Sequence, residues 1–319
     1  MKTKKALYVS ALWVTISCLL PNFCIAQAGS LDLSFDTDGI VVTAIGPAND
    51  VANSLAIQGD GKIVVAGYSH SGANYDFSVA RYNSDGSLDI TFDTDGKVTT
   101  PIGSLDDRGY AVTIQSDGKI VVAGHSYNGS NYDFAVVRYN SNGSLDNTFD
   151  TDGILTTPVG ISNDNSYSVK IQSDGKIVVA GHSFSGTSWD FAVVRYASNG
   201  VLDNTFGTGG IVTTDLGVSS YDKGNSTAIQ SDGKILVAGY TYIAGYTDFA
   251  VVRYNSDGTL DNTFGTGGKV TTDIGGFNDD DFSVALQTNG KIVVAGASVI
   301  SGIYDFSLVR YNSDGSLDN

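Results

Sequence analysis

A short phrase, DGKIVVAG, recurs five times at nearly constant spacing, and this recurrence restricts the fold more than any other feature of the sequence. The clearest copy occupies residues 117–124, and the others occupy 60–67, 174–181, 232–239 and 289–296. The lysines of successive copies are 57, 57, 58 and 57 residues apart. A constant period of this size indicates repeated supersecondary units, each packed against its neighbours.

Each repeat contains four strand-like runs, here called a, b, c and d. In the second repeat, residues 110–115 alternate between apolar and polar, residues 119–123 are mostly apolar, and residues 133–139 read DFAVVRY. Alternation predicts a strand with one buried face, and a continuous apolar run predicts a strand covered on both faces. A turn-rich passage then leads to a short fourth run at 154–157. The short connections predict a four-stranded antiparallel meander.

A repeated meander of this kind is typical of a propeller blade. We therefore predict an all-β protein, a β-propeller of four-stranded antiparallel blades. The d runs begin at Ile40, Lys97, Ile154, Ile211 and Lys269, so the first d run precedes any a run. This N-terminal strand is predicted to complete the last blade and close a ring of five blades. Because GSLD occurs both at 29–32 and at 315–318, a truncated part of a larger propeller is the alternative, and a non-closing solenoid is a third arrangement.

The first 28 residues have the pattern of a secretory signal peptide. Lys2, Lys4 and Lys5 precede an apolar stretch at 6–20, and small residues follow at the cleavage site after Ala26 or Ala28. An uncleaved anchor and a lipoprotein signal are the alternatives. The prediction is a signal peptide at 1–28 and a single propeller domain at 29–319, with five repeats of about 57 residues. The protein is expected to be secreted, extracellular or on the surface of a bacterium, with no membrane insertion after cleavage.

The composition limits the kinds of molecule that the protein is expected to bind. All 34 acidic residues are Asp, which favours turns over helices, and without the three signal lysines the net charge is −19. A field of this sign repels nucleic acid, so no nucleic-acid partner is expected. Both cysteines, Cys18 and Cys24, lie in the predicted signal peptide, so no disulfide is expected in the mature chain.

Three motifs together resemble those of the delta-60 repeat family. They are SLDxTF, found here with Leu88 to Phe92, then DGKIxVAG at 117–124 and DFAVVRY at 133–139, each with its copies. That family consists of bacterial surface-associated repeats assigned to a β-propeller domain of unknown function. The resemblance covers essentially all of the chain after the signal peptide. It implies a propeller fold and secretion, and it implies no particular activity.

The repeats differ most in the segments between runs b and c, which share one face of the propeller with the segments between runs d and a. Aromatic residues with polar tips, mixed with Ser and Asn, form adaptable contact surfaces. We predict that this face binds a glycan or a protein; the alternative is that the aromatic residues fill gaps between blades. The candidate ligand-binding residues are Tyr68, His70, Tyr75, His125, Tyr127, Tyr132, His182, Phe184, Trp189, Tyr240, Tyr242 and Tyr246.

One aspartate recurs at a fixed place between runs d and a: Asp50, Asp107, Asp164, Asp222 and Asp279. If run a is the innermost strand, these carboxylates ring the mouth of the central channel, where Ca²⁺ is the cation that such ligands would bind. The alternative is that each carboxylate accepts backbone N–H groups of its own loop. No other cofactor is expected.

Run c carries a constant arginine with an apolar strand face around it: Arg81, Arg138, Arg195, Arg253 and Arg310. A partly buried guanidinium needs a carboxylate or carbonyl partner. The constant aspartates between runs c and d (Asp89, Asp146, Asp203 and Asp261) are the predicted partners, in a structural role.

The sequence favours a binder over an enzyme. It has three histidines, no cysteine nucleophile outside the signal peptide, and none of the nucleophile-elbow, zinc-helix or phosphate-loop motifs. We predict a non-catalytic propeller that binds a glycan or protein at the cell surface. The alternatives are a structural or adhesive module of a larger surface protein, and an Asp-dependent glycan hydrolase or lyase.

Overall fold

The structure is a computed structural model that describes residues 29–217 and 221–319, so the predicted signal peptide lies outside the described residues. Within these two ranges every regular element is a β-strand. The strands are β1 (Asp50–Ile57), β2 (Ile63–His70), β3 (Tyr75–Tyr82), β4 (Lys97–Thr100), β5 (Asp107–Ile114), β6 (Ile120–Tyr127), β7 (Tyr132–Tyr139), β8 (Ile154–Thr157), β9 (Asp164–Ile171), β10 (Ile177–Phe184), β11 (Trp189–Tyr196), β12 (Ile211–Thr214), β13 (Lys223–Ile229), β14 (Ile235–Ile243), β15 (Tyr246–Tyr254), β16 (Lys269–Thr272), β17 (Asp279–Leu286), β18 (Ile292–Ile300) and β19 (Ile303–Tyr311).

The strands form five antiparallel sheets in sequence order, here called blades 1 to 5. Blades 1 to 4 contain four strands each, and blade 5 contains β17, β18 and β19. The first strands of neighbouring blades contact one another, β1 with β5, β5 with β9, β9 with β13 and β13 with β17. The predicted all-β propeller architecture and the innermost position of run a are thus confirmed.

Apolar side chains fill the space between successive blades. Phe77 and Val79 of blade 1 are fully buried in one cluster with Val122 and Val137 of blade 2. At the edge of this cluster, the hydroxyls of Thr100 and Tyr139 are 2.7 Å apart. Equivalent hydroxyl pairs recur at the next three blade interfaces. Each blade is therefore completed by its neighbour, as expected for a repeat that cannot bury both faces alone.

Every first strand contains a β-bulge, which explains the constant glycine that ends DGKIVVAG. The register between β5 and β6 skips Tyr110, so that Gly109 pairs with Gly124 and Ala111 pairs with Ala123. A Cβ on Gly124 would lie 1.9 Å from the carbonyl oxygen of Arg108. Only glycine fits where the bulged backbone comes this close. The bulge also ends the alternation that the sequence predicts for Tyr110.

The constant arginines join neighbouring blades. The Nε of Arg138 donates to Asp146 at 2.7 Å, and its guanidinium lies 4.5 Å from the centre of the Phe149 ring. Its Nη1 also donates to the carbonyl oxygen of Ser198 in blade 3. The same arrangement occurs at Arg81, Arg195 and Arg253. The predicted carboxylate partners are confirmed.

The predicted closure by an N-terminal strand is wrong for the structure as described. Residues 40–43 belong to no sheet, and no other described residues add a fourth strand to blade 5. Instead, the N-terminal segment is held by blade 1, because the N–H of Asp36 donates to the carbonyl of Asp85 at 2.7 Å. The equivalent bond from Asp93 to Asn142 joins the last passage of blade 1 to blade 2. The segment thus occupies the place of a preceding blade, away from the open edge of β19.

Candidate ligand-binding site

The aromatic residues expected in loops between runs b and c lie on paired strands instead. Strand β6 continues to Tyr127 and β7 begins at Tyr132, so only residues 128–131 form the turn. Tyr127 is directly opposite Tyr132 in this hairpin, and the equivalent pairs in blades 1 and 3 are His70 with Tyr75 and Phe184 with Trp189. Cross-strand pairing places these rings in direct contact on the hairpin ends. Their positions are therefore fixed by strand register.

Two bulge residues connect these hairpins from blade to blade. The ring of Tyr110 lies 4.9 Å from both His125 and Tyr167, and Tyr167 stacks on His182 at 5.3 Å. With the hairpin pairs they form a continuous series across blades 1 to 3 and onto the loop before β13, with centroid distances of 4.9 to 6.1 Å between contacting rings. This series is called the aromatic belt, and its members are Tyr68, His70, Tyr75, Tyr110, His125, Tyr127, Tyr132, Tyr167, His182, Phe184, Trp189 and Tyr221.

The structure brings nine of the twelve predicted binding residues into the belt. The other three are Tyr240, which is half-buried, and Tyr242 and Tyr246, which are exposed. The ring of Tyr246 contacts Phe277 at 5.3 Å instead of a member of the belt. The binding role of all twelve stays a prediction.

Sequence reasoning missed three members of the belt. Tyr110 and Tyr167 occupy the same position of consecutive repeats, a signal that was present in the sequence, but the bulge that turns them towards the hairpins has no clear sequence signature. Tyr221 precedes β13 and makes an isolated parallel bridge with Trp189. Its place in the belt depends on a loop conformation.

Two positively charged side chains lie against the belt at equivalent positions of blades 2 and 4. The guanidinium of Arg108 lies 5.0 Å from the ring centre of Tyr75 and pairs with Asp106 at 3.0 Å. The ammonium of Lys223 lies 4.8 Å from the ring centre of Tyr221 and 5.9 Å from Trp189. Cations over ring faces are attracted by the ring quadrupole. The belt therefore combines ring faces with fixed positive charge in a strongly acidic protein.

The two histidines at the centre of the belt are uncharged near neutral pH. His125 and His182 are buried. Burial, followed by the charge of Arg108, lowers the pKa of His125 to about 3. Burial, followed by the charge of Lys223 and then His125, lowers the pKa of His182 to about 3. Burial also raises the pKa of Tyr240 to about 12, with smaller contributions from Asp280 and Tyr221. At neutral pH the belt thus offers uncharged rings with hydroxyl and imidazole groups.

The constant aspartates of the d–a loops hold their own loops. Asp164 accepts the N–H of Val159 at 2.7 Å and the N–H of Gly160 at 3.0 Å, and its side chain is fully buried. Asp107, Asp222 and Asp279 are equally buried, and Asp50 is partly exposed. Each accepts at least one N–H from the loop before it. This arrangement matches the alternative given above, in which the carboxylates fix loop conformation.

The five aspartates do not form one group. Within residues 29–217 and 221–319, acidic side chains close enough to share a cation occur in two sets of three, with ligand atoms within 4.8 Å of one another. One set is Asp190, Asp215 and Asp222, and the other is Asp248, Asp273 and Asp279. Burial, then the charges of Asp273 and Asp279, raise the pKa of Asp248. Calcium binding stays a prediction. Within the described residues, these two sets are the groups of three carboxylates close enough to share one ion.

The geometry defines the protein as a repeat β-propeller with an aromatic belt at one end of its blades. A protein-family comparison agrees: the family described as "Domain of unknown function (DUF5122) beta-propeller" matches residues 58–92, 115–149, 172–206, 230–264 and 287–319. The chain belongs to this family. The comparison with curated proteins found no significant match.

Solved structures with a similar overall arrangement have low sequence identity. A gluconolactonase from Xanthomonas campestris is 11% identical over 83% of this chain and 74% of its own, with a TM-score of 0.46. Drosophila Semaphorin 1b extracellular domains are 12% identical over 82% of this chain and 51% of theirs, with a TM-score of 0.45. An endo-arabinase from Bacteroides thetaiotaomicron is 11% identical over 83% of this chain and 95% of its own, with a TM-score of 0.41. Similarity at this level does not indicate a function.

In the described ranges, the structure contains no helix of the length and apolar character needed to cross a membrane.

Proposed function

We propose that this protein is a non-catalytic carbohydrate-binding propeller whose ligand lies along the aromatic belt. The continuous series of rings across three blades and the following loop is the observation that carries the proposal. Sugar rings present C–H groups that pack on aromatic faces, and their hydroxyls need nearby hydrogen-bonding groups. Tyrosine supplies both, since it combines an apolar ring with a polar tip.

The burial of the belt favours a glycan over a protein partner. Most of its rings, including Tyr110, Tyr132, Tyr167 and Trp189, are half-buried rather than exposed. A protein interface is organised around large side chains that become buried on binding. Half-buried rings leave narrow faces and edges, which suit a slender chain of sugar units better than a flat protein surface. The cations of Arg108 and Lys223 extend the range of ligands to acidic sugars.

Secretion and the delta-60 type of the repeats belong to the same proposal. The basic start, apolar stretch and small-residue site of residues 1–28 support export. The repeated SLDxTF, DGKIxVAG and DFAVVRY motifs support the delta-60 assignment. Export is tested by expressing the full chain in a bacterium and measuring the mass of the extracellular product. Cleavage after Ala26 or Ala28 is the expected result, and retention of an uncleaved cytoplasmic chain would contradict it.

Binding is tested with the purified chain on an array of bacterial and plant glycans, followed by calorimetry with the best ligand. Trp189→Ala and Tyr132→Ala are expected to weaken binding by roughly fivefold or more, since truncating a central aromatic contact residue costs about 1 kcal/mol or more. Tyr242→Ala is the control: Tyr242 is also among the candidate binding residues, but it is exposed and lies outside the belt, so a ligand bound along the belt does not depend on it. The melting temperatures of all three variants show whether the fold is retained.

Three outcomes would contradict the proposal. Full retention of binding in both belt variants would place the ligand elsewhere. Failure of every glycan, together with a protein that binds the chain and loses affinity on Trp189→Ala, would make the belt a protein interface. Release of shorter sugars from the bound glycan, followed by mass spectrometry and lost on Asp107→Asn or Asp164→Asn, would make the protein an enzyme.

A further inference from the structure

Blade 5 exposes a face that every other blade buries. Phe306 on β19 is fully exposed, whereas the equivalent residues Phe77, Phe134, Phe191 and Phe249 are fully buried against the following blade. Leu308, two residues further on the same face, is 70% exposed. Among residues 29–217 and 221–319, no strand lies beside the outer edge of β19, whereas β3, β7, β11 and β15 each pair with a fourth strand. The face and the edge are open together.

Blade 1 exposes the complementary face. Leu55 and Ile57 are 62% and 67% exposed, whereas Val112, the counterpart of Leu55 in blade 2, is buried under the side chains of blade 1. Beside them lies a groove of about 460 Å³, which is lined by residues including Val65, Ala80 and Tyr82. At the interface of blades 1 and 2, Phe77 and Val79 pack against the corresponding residues of blade 2. The groove therefore has the position and the apolar lining needed to bind the side chains of Phe306 and Leu308.

Beside this face of blade 1, the N-terminal segment has the position of the fourth strand of a preceding blade. It is held on blade 1 by the bond from Asp36 to Asp85, and the ammonium of Lys97 donates to the carbonyl of Ala44 at 3.2 Å. The equivalent bond at blade 4 runs from Lys269 to Asp215, the residue that follows the fourth strand of blade 3. Residues 40–43 thus lie where a fourth strand of a preceding blade would lie. Val42, at their centre, is 92% exposed.

We propose that blade 1 and residues 40–43 of one copy dock on blade 5 of a second copy, head to tail. Residues 40–43 then pair with β19 in the register of the other blades. Because Phe77 pairs with Thr100 and Ser78 with Thr99, Phe306 pairs with Thr43, and Ser307 pairs with Val42, in the partner. Each element of this contact already exists within the chain at four blade interfaces, so the interface continues the established packing.

A second copy fits because the two faces belong to opposite ends of one arc of blades. Both are exposed in the same molecule, so the chain's own segment does not cover β19. Exposed strand edges and large apolar patches both favour association. The contact joins two different surfaces, so it generates either a closed ring or a growing filament.

The first test is the oligomeric state of the full chain, measured by analytical ultracentrifugation over a range of concentrations. We expect dimers or larger species that increase with concentration, and we expect Phe306→Asp to give monomers. Ile90→Asn is the control, because Ile90 is 70% exposed on another part of the chain and its position carries Asn in the next three repeats. A monomer at all concentrations, or oligomers that persist in Phe306→Asp with an unchanged melting temperature, would overturn the proposal.

Disulfide trapping shows whether residues 40–43 that pair with β19 come from a second copy or from the same chain. One chain carries Val42→Cys and another carries Ser307→Cys, with Cys18 and Cys24 replaced by Ser in both. Mixing them under mild oxidation is expected to give a covalent dimer that requires both variants. A chain carrying both substitutions that forms only a monomeric, internally linked product would show that the segment closes its own ring, which contradicts a second copy.

Discussion

The Nε of Arg138 donates to the carboxylate of Asp146 over 2.7 Å, and both side chains are buried at the junction of blades 2 and 3. The carboxylate also receives the ammonium of Lys119 at 2.9 Å, which explains the constant lysine of DGKIVVAG. Its other oxygen accepts the N–H and hydroxyl of Thr148. One aspartate therefore joins three parts of a repeat, and the arginine carries the connection to the next blade.

Arg138→Ala is expected to lower the free energy of unfolding by about 1.5–3 kcal/mol, because Asp146 loses a charge-assisted hydrogen bond at a buried site but keeps Lys119 and Thr148. Arg310→Ala is the matched control. The side chain of Arg310 is 48% exposed although it makes the same pair with Asp318, so the expected loss is about 0–1 kcal/mol. Urea denaturation of monomeric protein measures both. Equal losses in the two variants would show that burial does not determine the strength of this pair.

The aspartates that pair with the constant arginines predict that the folded state loses stability in acid. For Asp261, burial favours the neutral form, but hydrogen bonds from Thr263 and Lys234 and the charge of Arg253 outweigh it and lower the pKa to about 2. A lowered pKa stabilises the fold above the unfolded value of 3.8, and this contribution is lost as the pH falls towards 2. Asp261→Asn is expected to reduce the difference between urea midpoints measured near pH 5 and pH 3. An unchanged difference would contradict this assignment.

The buried histidines of the belt predict that stability also falls with pH in a second, higher pH range. His125 and His182 have pKa values of about 3, against 6.5 for an exposed histidine. Above pH 6.5 both states are neutral, and below it only the unfolded chain gains protons, so stability falls by up to about 1.4 kcal/mol per pH unit for each histidine. His182→Phe is expected to reduce the loss of stability between pH 7 and pH 5. Imidazole signals assigned to His125 or His182 that titrate near pH 6.5 in the folded protein would contradict the burial of these rings.

The glycine that faces each bulge is expected to tolerate no side chain. A Cβ at position 124 would lie 1.9 Å from the carbonyl oxygen of Arg108, so Gly124→Ala must move the backbone of β5. We expect the free energy of unfolding to fall by about 1–3 kcal/mol or more, as overpacking does elsewhere. Gly59→Ala is the control, since a Cβ at position 59 would meet no atom within 4 Å and its φ is not in the left-handed region. Comparable melting temperatures for the two variants would contradict the steric role.

Within the described part of the chain, calcium is expected to bind at the two sets of three carboxylates. Added Ca²⁺ should raise the melting temperature, and a chelator should reverse the shift, because a ligand that binds only the folded state stabilises it. Replacing Asp215 and Asp273 by Pro, which blades 1 and 2 carry at this position, should remove the effect. No shift with calcium or chelator at neutral pH would leave these aspartates as loop-fixing residues.

The sequence alone determined the repeat, the order of strands within a blade and the partners of the constant arginines. These features follow from local patterns: alternation, turn residues and a buried charge that needs a neighbour. DGKIVVAG is constant because each copy meets the same bulge and the same carboxylate.

Only the tertiary structure decided which aromatic residues meet and whether the ring closes. Tyr110 and Tyr167 enter the belt because a bulge turns them towards hairpins of their own and neighbouring blades, and a bulge depends on pairing between strands rather than on local sequence. Likewise, residues 40–43 have the sequence of a fourth strand but pair with none, because β19 lies at the other end of the arc. Strand propensity is local, whereas pairing requires a partner edge that the fold brings within reach.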